Sequence, residues 1–291
     1  MCKTCFIIIN FARYFSRRMV IRISFIITVL ILLASCSGYE KLIKGNDYDK
    51  KYSEAMRYYE KEDYLRASTL FDQCAAVFRG TKQADTVHYY QAMSYYNQRD
   101  YIMASHYFST FATTYGASPF LERAEFMEAY CYYLQSPRPK LDQSPTKMAI
   151  QKFSLFLIKH PRSDKADEAR QIISELRNKL VEKSFLSAKL YFDMEDYKAS
   201  LIALNNSVLE YPESKYREEL LFMILKSSFM YANNSVASKQ KDRYQKMVDD
   251  YYSFIAEFPE SKHAKEAKRY FKLATKKGGS DTEESDIDEV L

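Results

Sequence analysis

The sequence predicts an all-α protein, an α-solenoid of about five helix pairs, and three observations lead there. Glycine and proline are sparse, at 6 and 7 in 291 residues. Lys, Glu, Ala, Leu and Met recur at helical spacing, while runs of β-branched residues are scarce beyond residue 35. A block of residues also repeats: Ala55-Met56-Arg57-Tyr58-Tyr59 returns as Ala92-Met93-Ser94-Tyr95-Tyr96 and again as Ala129-Tyr130-Cys131-Tyr132-Tyr133, a constant 37 positions from Ala55 to Ala92 to Ala129.

In chain order, residues 1–35 read as a signal peptide. Arg17, Arg18 and Arg22 precede the stretch Ile23–Leu33, which is apolar except for Ser24 and Thr28. That stretch is short of the roughly 20 residues of a membrane span. Its end, Leu33-Ala34-Ser35-Cys36, resembles the lipobox of bacterial lipoproteins. The resemblance implies that Cys36 is acylated and becomes the first mature residue. An uncleaved anchor helix is the alternative, and either places the rest on a membrane surface outside the cytoplasm. Translation starts at Met1 or at Met19, which gives a more compact signal.

Residues 36–48 read as a linker after the lipidated cysteine, followed by repeats one to three over 49–162. Each repeat has a small residue in its first helix, a turn, and an alanine and aromatic in its second. Ala55 is followed by Glu62-Asp63-Tyr64, Ala67 and Phe71; Ala92 by Arg99-Asp100-Tyr101, Ala104 and Phe108. Small residues let the two helices approach, and the returning aromatic fills the gap. No pair buries its apolar stripe alone, so neighbours must stack. The pattern matches the tetratricopeptide repeat.

Residues 135–146, with Pro137, Pro139 and Pro145, read as a loop inside repeat three. From 163 to 277 come a linking helix and repeats four and five. Repeat four begins at Ala188, repeat five is degenerate, and residues 233–240 lengthen its turn. Repeats end at His160-Pro161-Arg162-Ser163, Tyr211-Pro212-Glu213-Ser214 and Phe258-Pro259-Glu260-Ser261, where proline stops one helix and serine is expected to cap the next. Lys265, Lys268, Lys272 and Lys276 form a basic stripe on the final helix, read as a solvated capping face or a contact for acidic partners or headgroups. Residues 278–291 read as a disordered tail, with six acids and no base from Ser280 on.

Five of the 43 Lys and Arg fall in residues 1–35, leaving 38 to match the 38 Asp and Glu of the mature chain. A neutral chain gives no electrostatic reason to expect nucleic acid. Cys74 and Cys131 lie on apolar helix faces and read as buried small residues rather than a disulfide. The four histidines (His88, His106, His160 and His263) are scattered, so no metal site is expected. Without a phosphate loop or nucleophile elbow, the chain reads as no enzyme and needs no cofactor.

The combination of lipobox, five repeats, loop and long linking helix resembles the BamD family, lipoproteins of the outer-membrane β-barrel assembly machinery. The segments that carry the likeness include Pro161-x-Ser163, Asp167-Glu168-Ala169-Arg170, Leu176-Arg177, Leu180, Ala188 and Tyr191, with Asp142-Gln143-Ser144 leading to Ala149. The resemblance implies a lipid anchor in the inner leaflet of the outer membrane and repeats that face the periplasm. It implies unfolded outer-membrane proteins as clients, and a BamA-like barrel subunit and other assembly lipoproteins as partners. An arginine of the family's helix 4B is matched here by Ala203, which removes that one contact. The alternative is an envelope repeat lipoprotein that acts as adaptor for peptidoglycan enzymes.

Counting from each small residue, the groove-lining positions are Tyr52, Met56 and Tyr59, then Tyr89, Met93 and Tyr96, then Phe126, Tyr130 and Tyr133. Tyrosine pairs an apolar ring with a hydrogen-bonding tip, and methionine adapts its shape, which suits extended aromatic peptides. Ordinary packing between helices is the alternative reading, above all for Tyr59, Tyr96 and Tyr133. In repeat four the ladder is broken by Lys189.

Overall fold

A computed structural model describes residues 36–278 as twelve α-helices; the signal segment 1–35 and the tail 279–291 lie outside the described residues. The helices are α1 (Cys36–Lys44), α2 (Tyr48–Glu60), α3 (Tyr64–Val77), α4 (Ala84–Asn97), α5 (Tyr101–Thr114), α6 (Leu121–Gln135), α7 (Ser144–Lys159), α8 (Ala166–Asp193), α9 (Tyr197–Glu210), α10 (Arg217–Asn233), α11 (Ala237–Glu257) and α12 (Ala264–Gly278). No strand occurs among the described residues. The chain divides into two compact units at Cys131/Tyr132, inside α6, rather than at residue 162.

In the first unit, α2 pairs with α3 and α4 with α5. Ala55, Ala67, Ala92 and Ala104 are all fully buried, and Phe71 and Phe108 fill the space beside them. Small side chains at the contact let two helix axes pack at the short end of the usual range of about 8–10 Å. The turns repeat as well. Glu62 and Arg99 sit in the left-handed region, at φ of 61° and 63°. The next amide reaches back, Asp63 N–H to the Tyr58 carbonyl at 2.9 Å and Asp100 N–H to the Tyr95 carbonyl at 3.0 Å. The same aspartates then cap the second helix, accepting from Arg66 N–H at 3.3 Å and Met103 N–H at 3.1 Å.

The expected linker is instead a helix. Tyr39, Leu42 and Ile43 of α1 pack on the core around Ala55, Phe71 and Cys74. Lys51 secures it: the side chain is 3% exposed, and its ammonium donates to the Ile43 carbonyl at 2.9 Å and to Gln73 Oε1 at 2.7 Å. The Tyr48 ring lies 4.9 Å beneath that ammonium. Cys74 and Cys131 are both buried, and burial pushes their thiols up to about 11 and about 12.

In the second unit, α8 is one continuous helix of 28 residues that joins the linking segment to the first helix of repeat four. Phe185, Ala188, Leu204, Leu220 and Met223 form one core of α8, α9 and α10. Phe222, Phe229, Tyr244 and Phe254 form another with Ala267, Phe271 and Ala274 of α12, which leaves Lys265, Lys272 and Lys276 in solvent. The repeat-five insertion adds little loop, because α11 resumes at Ala237 and runs 21 residues.

The expected serine caps are corrected. Ser163 Oγ accepts from Lys165 N–H at 3.1 Å, Ser214 Oγ from Tyr216 N–H at 3.1 Å, and Ser261 Oγ from His263 N–H at 3.0 Å. Each serine opens a further turn ahead of the helix, closed by the amides of Ala166, Arg217 and Ala264 on the serine carbonyls, so two residues separate it from the helix start. Serine also ties the turn after a helix pair back to the first helix of that pair: Ser261 donates to Glu218 at 2.6 Å, as Ser118 does to Asp85 at 2.7 Å.

Lys51→Ala removes two buried hydrogen bonds and the stem that fills the gap, so the chain should lose about 2–4 kcal/mol. Denaturant titration checks the loss, and protease cleavage near Gly45 should quicken as α1 comes free.

Candidate functional site

The tyrosine face of the first unit follows from the repeat geometry. Positions three before, one after and four after the small residue fall on one side of each first helix. Tyr52, Met56, Tyr59, Tyr96 and Tyr130 are half-buried there. Tyr52 lies 5.7 Å from Phe78, Tyr59 meets Tyr90 edge-on at 5.0 Å, and Tyr96 lies 6.4 Å from Tyr130. The Tyr59 hydroxyl accepts from Asn97 Nδ2 at 3.1 Å, which ties repeat one to repeat two.

Three expected groove residues belong to the core. Tyr89, Met93 and Phe126 are 2%, 8% and 6% exposed. Tyr89 stacks flat on Phe120 at 4.5 Å and meets Phe108 and Phe111 edge-on, while Phe126 stacks on Tyr130 at 5.9 Å. Phe120, in the turn before α6, covers Tyr89, so only part of the ladder meets solvent. Tyr133 lies in the second unit, where its hydroxyl donates to Glu175 at 3.1 Å.

Two neighbours of this face are not marked by the repeat pattern: Asn97, one residue past Tyr96, and Arg123, in the first turn of α6. Burial raises the pKa of Tyr59 and Tyr89, Tyr89 to about 12, and the Arg123 guanidinium pulls against that rise at both. Both phenols therefore keep their protons throughout the neutral range.

The second unit carries a different surface. Asp142-Gln143-Ser144 is the latch of the proline-rich loop. Buried Gln143 donates to the Arg138 carbonyl at 2.8 Å and accepts from Thr146 at 2.7 Å, while the Asp142 carboxylate accepts from Ser144 N–H at 3.0 Å. Those Ser144 hydrogen bonds hold the Asp142 carboxyl below its ordinary pKa. Lys179 and Lys183 of α8 fasten the loop from below, to Ser136 Oγ at 2.8 Å and the Lys140 carbonyl at 2.9 Å.

A cleft of about 290 Å³ lies between this loop, α8 and Tyr211, and one of about 580 Å³ between α7, α8 and the Tyr211-Pro212 turn; they share Leu180, Glu210 and Tyr211. The larger has an apolar floor of Ile150, Val181 and Pro212, with Arg177 and Lys215 at its rim. Exposed apolar side chains are concentrated in this unit, including Ile158, Met194, Ile202 and Leu209, each more than half exposed.

Residues 45–242, more than half of the chain, match the YfiO family, described as outer membrane lipoprotein. The match runs through both units. No curated protein matches. Among solved structures, the chain is similar to the TPR2AB-domain:pHSP90 complex of yeast Sti1. That match has 15% identity and a TM-score of 0.36, covering 78% of this chain and 98% of that one.

Met93→Asp places a carboxylate in the core and should cost several kcal/mol, whereas Met56→Asp, half in solvent, should cost about 1 kcal/mol or less. Thermal melts of the two single variants measure the difference.

Proposed function

We propose that the chain, which belongs to the YfiO family of outer membrane lipoproteins, is a periplasm-facing subunit of the β-barrel assembly complex. It is held in the inner leaflet through acylated Cys36. It binds unfolded barrel proteins and docks on a BamA-like barrel subunit, beside other assembly lipoproteins. It works by binding, not by catalysis.

The observation that carries this reading is the family match over residues 45–242, which spans the tyrosine face and the loop latch alike. The chemistry of the two surfaces supports a division of labour. Half-buried tyrosines offer rings and hydroxyls to extended chains at little entropic cost, which suits transient clients. The clefts and exposed aliphatics of the second unit suit a stable interface, which buries about 1,200–2,000 Å². Helix α1 supports the anchor, since it begins at Cys36 and is fixed to repeat one through Lys51.

Cys36→Ala should abolish palmitate labelling and release the protein from the membrane fraction; normal labelling would contradict the anchor. Mature full-length protein, pulled from detergent-solubilised envelopes, should bring the barrel subunit with it. Arg177→Glu with Lys215→Glu, both exposed, should weaken that capture at least tenfold, about 1.4 kcal/mol. Capture of peptidoglycan enzymes in place of the barrel subunit would favour the adaptor.

A further inference from the structure

Charge is unevenly placed along the second unit. Residues 36–278 hold all 38 Lys and Arg that follow residue 35, but only 32 of the 38 Asp and Glu. Helix α12 alone accounts for an excess of five, with Lys265, Lys268, Arg269, Lys272, Lys276 and Lys277 against the single acid Glu266. Glu266 is already engaged. It accepts from the Tyr270 hydroxyl at 3.1 Å and lies 3.6 Å from the Lys226 ammonium of α10. Lys265, Lys268, Lys272 and Lys276 are spaced to share one side of the helix, and none has an acidic partner among the described residues. The stripe is about 17 Å long. Ala267, Phe271 and Ala274 bury the opposite side against α10 and α11, and no further described element covers the lysines.

The six missing acids follow at once. Asp281, Glu283, Glu284, Asp286, Asp288 and Glu289 lie within 279–291, with no base among them. A block of like charge repels itself and commonly serves as an interaction segment. Its point of departure is held, because Lys277 donates to Asn233 Oδ1 at 2.5 Å and so ties the end of α12 to the turn between α10 and α11. Gly278-Gly279 permits a reversal of the chain there. Extended, residues 281–289 reach about 26 Å, more than the length of the stripe.

We propose that the acidic segment 279–291 folds back along α12 and occupies the lysine stripe, as a built-in competitor for other anions. Its charge matches the excess on α12, and the tether supplies an effective concentration in the millimolar range. Each exposed ion pair contributes little alone, so the contact is a set of exchanging pairs that needs no fixed backbone. Screening beyond about 8 Å at physiological salt favours the face from which the segment departs. A weakly acidic partner is thereby kept off the stripe, and only a more densely charged one displaces the segment.

Carbodiimide coupling of the full-length mature protein reads this contact, since it joins a carboxylate to a lysine amine as an amide, with loss of water, only where the two touch. Mass spectrometry of the monomer should find the tail acids joined to the α12 stripe at least about tenfold more than to exposed Lys239 and Lys241 of α11. At 1 M salt, where the Debye length is about 3 Å, that preference should vanish. A dye on Ser285→Cys gives a second reading, because Cys74 and Cys131 are buried and do not compete for it. Its anisotropy should fall when Lys272→Gln and Lys276→Gln, both at exposed positions, thin the stripe. Equal coupling to stripe and other lysines, or anisotropy unmoved by these substitutions, overturns the contact. In a mixture of light and isotope-labelled protein, coupling only between unlike chains assigns the stripe to a second copy and overturns the fold-back.

Discussion

The close contact of paired helices at fully buried alanines is the constraint on which the rest of the molecule depends. Ala55 and Ala67 in the first pair, and Ala92 and Ala104 in the second, leave no room for a larger side chain. A longer side chain would force the helices apart at about 1–3 kcal/mol per site. With the centre filled by methyl groups, the aromatic bulk moves to the flanks, where Phe71 and Phe108 seal the pair and tyrosines face the next. The tyrosine hydroxyls then join repeats. Tyr59 meets Asn97 and Tyr95 donates to Asp72 at 2.7 Å, while within repeat two Tyr115 lies 3.1 Å from His88 Nδ1. The aromatic face is thus a by-product of helix spacing that also offers a binding surface.

The spacing of small and aromatic residues made the helix pairs legible before any coordinates, because those positions are set by local geometry that every repeat must satisfy. The continuous helix α8 was legible for a similar reason, since no proline or glycine interrupts 163–193. The burial of Tyr89, Met93 and Phe126 was not. That of Tyr89 depends on Phe120, which lies outside the repeating block. Helix α1 escaped notice because nine residues form too short a helix to stand alone. It is held by Lys51, a residue type usually assigned to solvent. Asn97 escaped because its significance lies in its hydrogen bond to Tyr59, not in its spacing.

The two units solve different physical problems. In the first, half-buried rings with polar tips present a surface that gains little from permanent burial and remains soluble without a ligand. In the second, a loop latched by Gln143 and fastened by two lysines of α8 borders an open polar cleft, next to a larger and more apolar one. Exposed side chains such as Ile202 and Leu209 gain about 1.5–3 kcal/mol each on full burial. The first surface suits exchange of clients and the second a lasting partner. Acylation of Cys36, as proposed, together with helix α1 fixed to repeat one, would keep both surfaces near a membrane.

Site-specific photocrosslinking in growing cells tests the central claim most directly. A photoreactive phenylalanine analogue replaces Tyr96 or Tyr130, both half-buried on the face of the first unit. The account predicts crosslinks to newly exported, unfolded outer-membrane barrel proteins, lost when their synthesis is stopped. Crosslinks only to folded cell-wall enzymes, unchanged by that arrest, would contradict it.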